Sequence, residues 1–303
     1  MSNYEPCYLK FSQGELFKIR DDLVSFLSRC GICPRLCKVN RISQELGFCK
    51  TGRLARVSSF NLHFGEEKEL VGRGGSGTIF FSFCNLACVY CQNYTISHLG
   101  EGSEIEAYGL AKIMLGLQEL GAENINFVSP THVVPQIIEA LVYARDKGLR
   151  LPLVYNSGGY DLEGILAKLK GIFDIYMPDI KYSDDSNSGK YSQAQDYWQV
   201  CKLALLEMYR QVGDLVIDDQ GIAQKGMLIR HLVLPNDLSG SFEVIDFIAG
   251  NISCNTYINI MDQYRPCHKA YRYKELSRRI TQDEYSQVVN YARKKGLRGG
   301  PRD

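Results

Sequence analysis

Apolar residues recur along this chain at two spacings, and the chain switches between them many times. Residues 14–29 place Leu16, Ile19, Leu23, Phe26 and Leu27 at helical intervals. Residues 52–71 show short strand and turn patterns without a helical face. From residue 78 onward, short apolar runs alternate with helical patterns. Strands are predicted at 78–83, 125–128, 153–155, 173–177, 227–234 and 256–261. Helices are predicted at 106–120, 133–147, 161–170, 194–212, 241–249 and 281–295, one after each strand. Strands that alternate with helices imply a parallel sheet. Six are too few to close a full eight-stranded barrel. The expected fold class is therefore α/β, an open partial (β/α)6 TIM-like barrel of parallel strands with a small Cys-rich N-terminal extension. Residues 1–71 would form that extension, 72–270 the barrel, and 271–303 a C-terminal helix packing on it.

Composition narrows the picture little. The 303 residues are 45% hydrophobic and 23% charged, as in an ordinary globular protein. A formal charge of +1 gives no electrostatic reason to expect nucleic acid or an anionic membrane as partner. No apolar run approaches the ~18 residues of a membrane span. The first residues have neither a basic stretch nor an apolar one, so no secretory signal is read and a cytoplasmic location is expected. Eleven cysteines in such a chain suggest reduced thiols and metal ligands rather than disulfides.

Seven of the eleven fall into two clusters. Cys84, Cys88 and Cys91 follow the first predicted strand with the spacing C-x3-C-x2-C. Three thiols in eight residues can face a cuboidal iron–sulfur cluster, and a three-cysteine [4Fe–4S] cluster leaves one iron free for an outside ligand. A zinc knuckle or three unrelated core thiols are the plainer alternatives, with His98 the nearest fourth zinc ligand. The second group is Cys30, Cys33, Cys37 and Cys49, spaced C-x2-C-x3-C-x11-C among the turn formers Gly31, Pro34 and Gly47. A metal staple fits this segment: structural zinc first, a second iron–sulfur cluster next, free thiols last.

Residues 72–77 read G-x-G-x-x-G. A dinucleotide loop follows a strand and opens a helix, whereas these glycines precede a strand. Close approach of backbone at the barrel mouth is expected instead. In parallel α/β folds, ligands sit beyond the C-terminal ends of the strands. Polar residues gather there after every predicted strand. They are Ser129, Thr131 and His132; Asn156 and Ser157; Asp179 and Lys181; Arg230 and His231; and Gln263, Arg265, Cys267 and His268, beside the cysteines themselves. One shared site explains that pattern better than scattered caps.

The C-x3-C-x2-C spacing, with Tyr90 just before the third cysteine, resembles the signature of the radical SAM superfamily. Residues 77–82, 84–86, 91–93, 129–132, 179–182 and 230–233 resemble the group of pyruvate formate-lyase-activating-enzyme homologues. The likeness covers residues 77 to 265. It departs from the activating enzymes at residues 129–132, where Ser-Pro-Thr-His replaces a Gly-Gly-Glu-Pro stretch. The ferredoxin-like cysteine insert of many activating enzymes is absent as well.

The resemblance implies that Cys84, Cys88 and Cys91 hold a [4Fe–4S] cluster and that S-adenosyl-L-methionine binds its free iron. An external one-electron donor of flavodoxin or ferredoxin type then reduces the cluster. Cleavage of the sulfonium gives a 5′-deoxyadenosyl radical that takes hydrogen from a substrate. Tyr90 is expected against the adenine, Ser129 and Thr131 at the amino group, Asn156 and Ser157 at ribose or carboxylate, and Asp179 and Lys181 near the sulfonium. Arg230 suits the methionine carboxylate; the plainer reading makes Arg230 and His231 a buried polar pair. His132 and His268 read equally as supporting residues or proton donors, and Cys267 as a radical relay or a small buried hydrophobe. The polar loop 182–191 reads as an active-site lid or a mobile surface turn. Three function classes follow: activation of a partner protein such as a glycyl radical enzyme, modification of a small molecule or peptide, or a non-catalytic Fe–S redox sensor.

Overall fold

The computed structural model describes residues 4–297. Residues 1–3 and 298–303, the outer ends of the expected N- and C-terminal segments, lie outside the described residues. Among the described residues nine strands form one sheet: β1 (Ala55–His63), β2 (Ser76–Phe81), β3 (Ser103–Ile105), β4 (Ile125–Val128), β5 (Leu153–Ser157), β6 (Ile175–Ile180), β7 (Val216–Ile217), β8 (Ala223–Leu232) and β9 (Tyr257–Met261). The helices are α1 (Gln13–Ser25), α2 (Lys68–Val71), α3 (Tyr94–Ser97), α4 (Ala107–Glu119), α5 (Val134–Asp146), α6 (Glu163–Lys168), α7 (Asp185–Ser192), α8 (Tyr197–Val212), α9 (Ser241–Phe247) and α10 (Gln282–Lys294).

The predicted strands β2, β4, β5, β6, β8 and β9 pair in that order, each parallel to the next. Two differences follow from the region read as short strands and turns. Residues 55–63 form a single nine-residue strand that pairs antiparallel with β2, and it carries β3 on its other edge. The sheet is thus mostly parallel with an antiparallel border. Among the described residues β1 and β9 do not pair, so the sheet stays open.

Alternation along the strands sorts side chains to two faces. The outward face packs on the helices in one continuous core. That core also takes in Tyr8, Leu16, Leu23 and Leu27 from the N-terminal segment and Val288, Val289 and Ala292 from α10. The inward face is layered. Leu70, Val154, Ile175, Met177 and Leu228 make a small apolar floor. Asn126 stands level with it, in register with Val154, and above it lie Asn156, Asp179, Arg230 and Asn259, one step further along their strands. α1 begins with a reciprocal cap: Ser12 Oγ accepts from Glu15 N–H at 3.3 Å and the Glu15 carboxylate accepts from Ser12 N–H at 2.8 Å.

The glycine run does mark close backbone approach, but at the opposite end from the one expected. A Cβ on Gly74 would lie 1.9 Å from Gly121 O, and one on Gly77 2.6 Å from Asn124 O. Both oxygens belong to the turn entering β4, at the N-terminal end of the sheet, because the glycines themselves enter β2.

The stretch read as a polar loop, a lid or a mobile surface turn, is a helix instead. Residues 185–192 form α7, with Asp184 accepting from Asn187 N–H at its start, and Ser188, Tyr191 and Ser192 are buried. A polar sequence without apolar periodicity hid this helix; its cap and its long-range contacts make it.

Candidate active site

The cysteine loop is built on the end of α7. A helix leaves its last carbonyls without intrahelical donors. Here the loop supplies them: Ala87 N–H donates to Ser192 O at 3.1 Å and Val89 N–H to Tyr191 O at 2.8 Å. On the far side Lys269 N–H donates to Val89 O at 2.8 Å. Asn85 is buried, and its amide donates to Tyr160 O at 2.6 Å. The loop between Cys84 and Cys91 is therefore held from three directions.

Cys84, Cys88 and Cys91 line one cavity of about 260 Å³ together with Tyr90, Ser129 and Lys181. Each sulfur has a polar neighbour. Leu86 N–H donates to Cys84 Sγ at 3.4 Å, Ser192 hydroxyl donates to Cys88 Sγ at 3.0 Å, and Ser97 Oγ lies 3.1 Å from Cys91 Sγ. Burial pushes the Cys84 thiol up to about 12 and raises Cys88 as well. His98, the nearest candidate for a fourth ligand, places Nε2 3.1 Å from Cys88 O instead.

The strand tips bring most of the predicted residues to this cavity. Tyr90, Ser129, Asn156, Ser157, Asp179, Lys181 and Arg230 all line it. Tyr90 is buried edge-on to Tyr182 and Tyr264, with ring centroids 6.3 and 5.9 Å away. Ser129 takes a left-handed φ of 60°, and its N–H donates to Asn156 O at 2.9 Å, tying the tip of β4 to β5. Thr131 is not brought in. Its hydroxyl donates to Asp161 at 2.7 Å, and Tyr155 and Ser157 donate to the same buried carboxylate at 2.8 and 2.7 Å. Ser157 thus lines the cavity, but its hydroxyl turns to that carboxylate.

Arg230 is committed too. Its Nε donates to Asp179 at 2.8 Å, Nη1 to Glu66 at 2.9 Å and Nη2 to Asn156 at 2.7 Å. Asp179 also receives Lys181 Nζ at 2.8 Å. Burial alone would raise the Asp179 carboxyl, but Arg230 and then Lys181 outweigh it and hold the group below its usual range. Arg230 and His231 do not form a pair, because neighbours on a strand point to opposite faces. His231 turns outward, with Nδ1 2.8 Å from Ile180 O and Nε2 2.9 Å from Ser241 Oγ.

Glu66 and Glu67 were not found from the sequence. They lie between β1 and α2 and cross the inward face of the sheet. Glu66 accepts from Asn126 and Asn156 as well as from Arg230, and Glu67 accepts from Asn259. A second cavity of about 580 Å³ has Glu66, Glu67, His63, Asn259 and Asp262 in its wall and shares Phe80, Asn93, Asn156, Arg230 and Met261 with the first. Asn126 and Asn259 carried a legible signal, a single amide inside each apolar strand.

The second cysteine group is also gathered. Cys30, Cys33 and Cys49 are buried and Cys37 is half-buried. Burial, and then the neighbouring sulfurs of Cys49, Cys30 and Cys37, raise the Cys33 thiol. The turns between them carry left-handed φ at Leu36, Lys38 and Gln44, and Lys50 just after Cys49 adopts it too. Among the described residues, no three His, Cys, Asp or Glu side chains are placed to hold a single metal ion.

The family model described as the Radical SAM superfamily matches residues 78–213. Uncharacterized protein MJ0674 of Methanocaldococcus jannaschii is 33% identical over 307 residues, covering 97% of this chain and 83% of its own length. Among solved structures, this chain is similar to native anSMEcpe with bound AdoMet and Cp18Cys peptide, at 12% identity and a TM-score of 0.44, over 69% of this chain and 55% of that one. It is also similar to HydG, a maturase of the [FeFe]-hydrogenase, at 12% identity and a TM-score of 0.45, over 95% of this chain and 62% of that one. The first cavity's three thiols fall inside the span matched by that family model, and the relative's likeness covers 97% of the chain: the chain belongs to the radical SAM superfamily.

Proposed function

We propose that this protein is a radical SAM enzyme that takes hydrogen from a carbon of its substrate, and that a segment of a partner protein, such as a glycyl radical enzyme, is that substrate. Family membership implies S-adenosylmethionine and a [4Fe–4S] cluster. The side chains suit both. A cuboidal cluster binds its thiolates on different irons, so they must face one cavity without meeting at a point, as the three sulfurs here do. The polar neighbours at Cys84, Cys88 and Cys91 suit sulfurs that carry negative charge. When bound, the pair supplies reductive cleavage of a carbon–sulfur bond and hydrogen abstraction from an unactivated carbon.

The chain's own residues would bind and orient. On this reading Cys84, Cys88 and Cys91 hold the cluster, Tyr90 forms an apolar wall beside it, and the Asp179–Lys181 pair sets the charge near the sulfonium. Arg230, already held by three acceptors, fixes the floor between the two cavities rather than serving as a free carboxylate clamp. An external one-electron donor is part of the reading. So is a structural metal, zinc first, at Cys30, Cys33, Cys37 and Cys49, whose sulfurs would have to draw together to hold one ion. The observation that carries the substrate claim is the second cavity. It adjoins the first, and exposed Asp262 and Gln263 lie in its wall, so a chain segment has a route to the reacting centre. The polar wall of that cavity also favours a second reading, a polar small molecule.

The test begins with anaerobically reconstituted protein, reductant and S-adenosylmethionine. Formation of 5′-deoxyadenosine supports enzymatic chemistry. Its absence, with a cluster that still cycles, supports a redox sensor. Replacing Cys84, Cys88 and Cys91 by alanine should abolish the paramagnetic signal that responds to S-adenosylmethionine. Deuterium that reaches 5′-deoxyadenosine from a labelled partner protein supports the first reading, and deuterium from a labelled small-molecule pool supports the second.

A further inference from the structure

Arg35 lies between Cys33 and Cys37 in sequence, far from residues 84–91, yet it reaches the loop that carries the first cysteine cluster. Its Nε donates to Asn85 O at 2.8 Å. Its Nη2 donates to Ser192 O at 3.4 Å, and Nη1 donates to Gln193 O. The guanidinium carbon lies 3.7 Å from the centroid of the Phe48 ring and 5.2 Å from that of Tyr160. These contacts join three structures at one point. Asn85 follows Cys84; Ser192 and Gln193 end α7; and Phe48 precedes Cys49, with its own N–H 3.4 Å from Cys37 Sγ.

We propose that Arg35 is a positioning residue for the radical-cluster loop, locking it to the C-terminal end of α7 from the side of the N-terminal cysteine segment. Three physical features favour this role. A cation at a helix C-terminus meets unsatisfied carbonyls and the negative end of the helix dipole. Ser192 O, which accepts from Arg35, also accepts from Ala87 N–H of the loop. The hydroxyl of the same Ser192 donates to Cys88 Sγ. A shift of Ser192 therefore moves a loop amide and a thiol partner together. The planar fork spans two carbonyl directions while its faces stack on aromatic rings, which a lysine ammonium does not reproduce.

The proposal rests on the radical SAM reading only for its second measurement. The first uses metal-free, full-length protein. Hydrogen exchange at Ala87 and Val89 amides should speed up about tenfold or more in both Arg35→Ala and Arg35→Lys, the scale expected from losing hydrogen bonds to a charged donor. Exchange in β4 and β5 should stay unchanged. The second uses reconstituted protein: iron release to a chelator should accelerate severalfold in both variants. The paramagnetic signal seen with S-adenosylmethionine should broaden relative to wild type. Loop protection unchanged in Arg35→Ala, or fully restored by Arg35→Lys, overturns the proposal. A lowered urea midpoint with wild-type loop protection and an unaltered signal also overturns it, since Arg35 would then only stabilise its own segment. Should wild type show no signal with S-adenosylmethionine while the exchange result holds, the radical reading fails and the positioning role stands. If Arg35→Ala does not fold, Arg35→Lys carries both measurements.

Discussion

His132 and His231 are buried outside the cavity, and both are held neutral. Burial pushes each down to about 4. His132 Nε2 lies 3.0 Å from Ser82 O, and His231 is held between Ile180 O and Ser241 Oγ. In an unfolded chain an imidazole titrates near 6.5. Between roughly 6.5 and 4 the unfolded state binds more protons than the folded one, so stability is intact above that window and falls as pH drops through it. At pH 5 the two together should cost on the order of 4 kcal/mol, at about 1.4 kcal/mol per pH unit for each. Urea midpoints of metal-free protein at pH 7 and 5 measure this. The variant carrying both His132→Gln and His231→Gln should lose clearly less between the two pH values; an equal loss would assign the acid sensitivity to carboxylates. A strand period places His231 on one face and Arg230 on the other, so their separation was readable once β8 was fixed. What each touches was not, because Ile180 and Glu66 arrive from other elements.

Helix–sheet alternation was legible because apolar period and strand length agree at β2, β4, β5, β6, β8 and β9. The strand tips were legible for the same reason: Asn156, Asp179 and Arg230 stand one step beyond apolar inward positions. The segment carrying Glu66 and Glu67 was not, since its role comes only from partners as far away as Arg230. Nor was α7, a polar stretch whose burial comes from the loop it supports. The tie from the tip of β4 to β5 yields a prediction on this scale. Asp161 accepts from Thr131, Tyr155 and Ser157, so Asp161→Ala strands three hydroxyls in a buried place. A loss on the order of 3 kcal/mol is expected. Hydrogen exchange at Ser129 should rise with it. An unchanged midpoint would mean that the three hydroxyls find other partners.

Across the molecule, the N-terminal segment is fastened at many points. Arg53 pairs with Glu139, Gln136 donates to Arg53 O, and Arg41 is buried with Nη1 on His132 O. Replacing Cys33 and Cys37 by serine should loosen residues 30–49 if a metal fastens them, since structural zinc contributes on the order of 10 kcal/mol in small peptides. About one zinc beside four irons in elemental analysis supports that reading; about eight irons without zinc replaces it with a second cluster. A normal fold with neither ends it. The covering of α5 has a separate consequence. Ile137, Ile138, Ala140, Leu141 and Ala144 are wholly buried, and α1 packs on this helix. Gln13 reaches Asp146, and Arg145 donates to Phe11 O, so the start of α1 is fixed to the end of α5. The recognisable superfamily span begins at residue 78, but a chain begun there would present the α1-facing side of α5 to water. The span recognisable across the superfamily is thus shorter than the span whose apolar faces cover one another. Removing the N-terminal segment would call for polar substitutions on that side of α5 to keep the remainder from exposing a contiguous apolar patch.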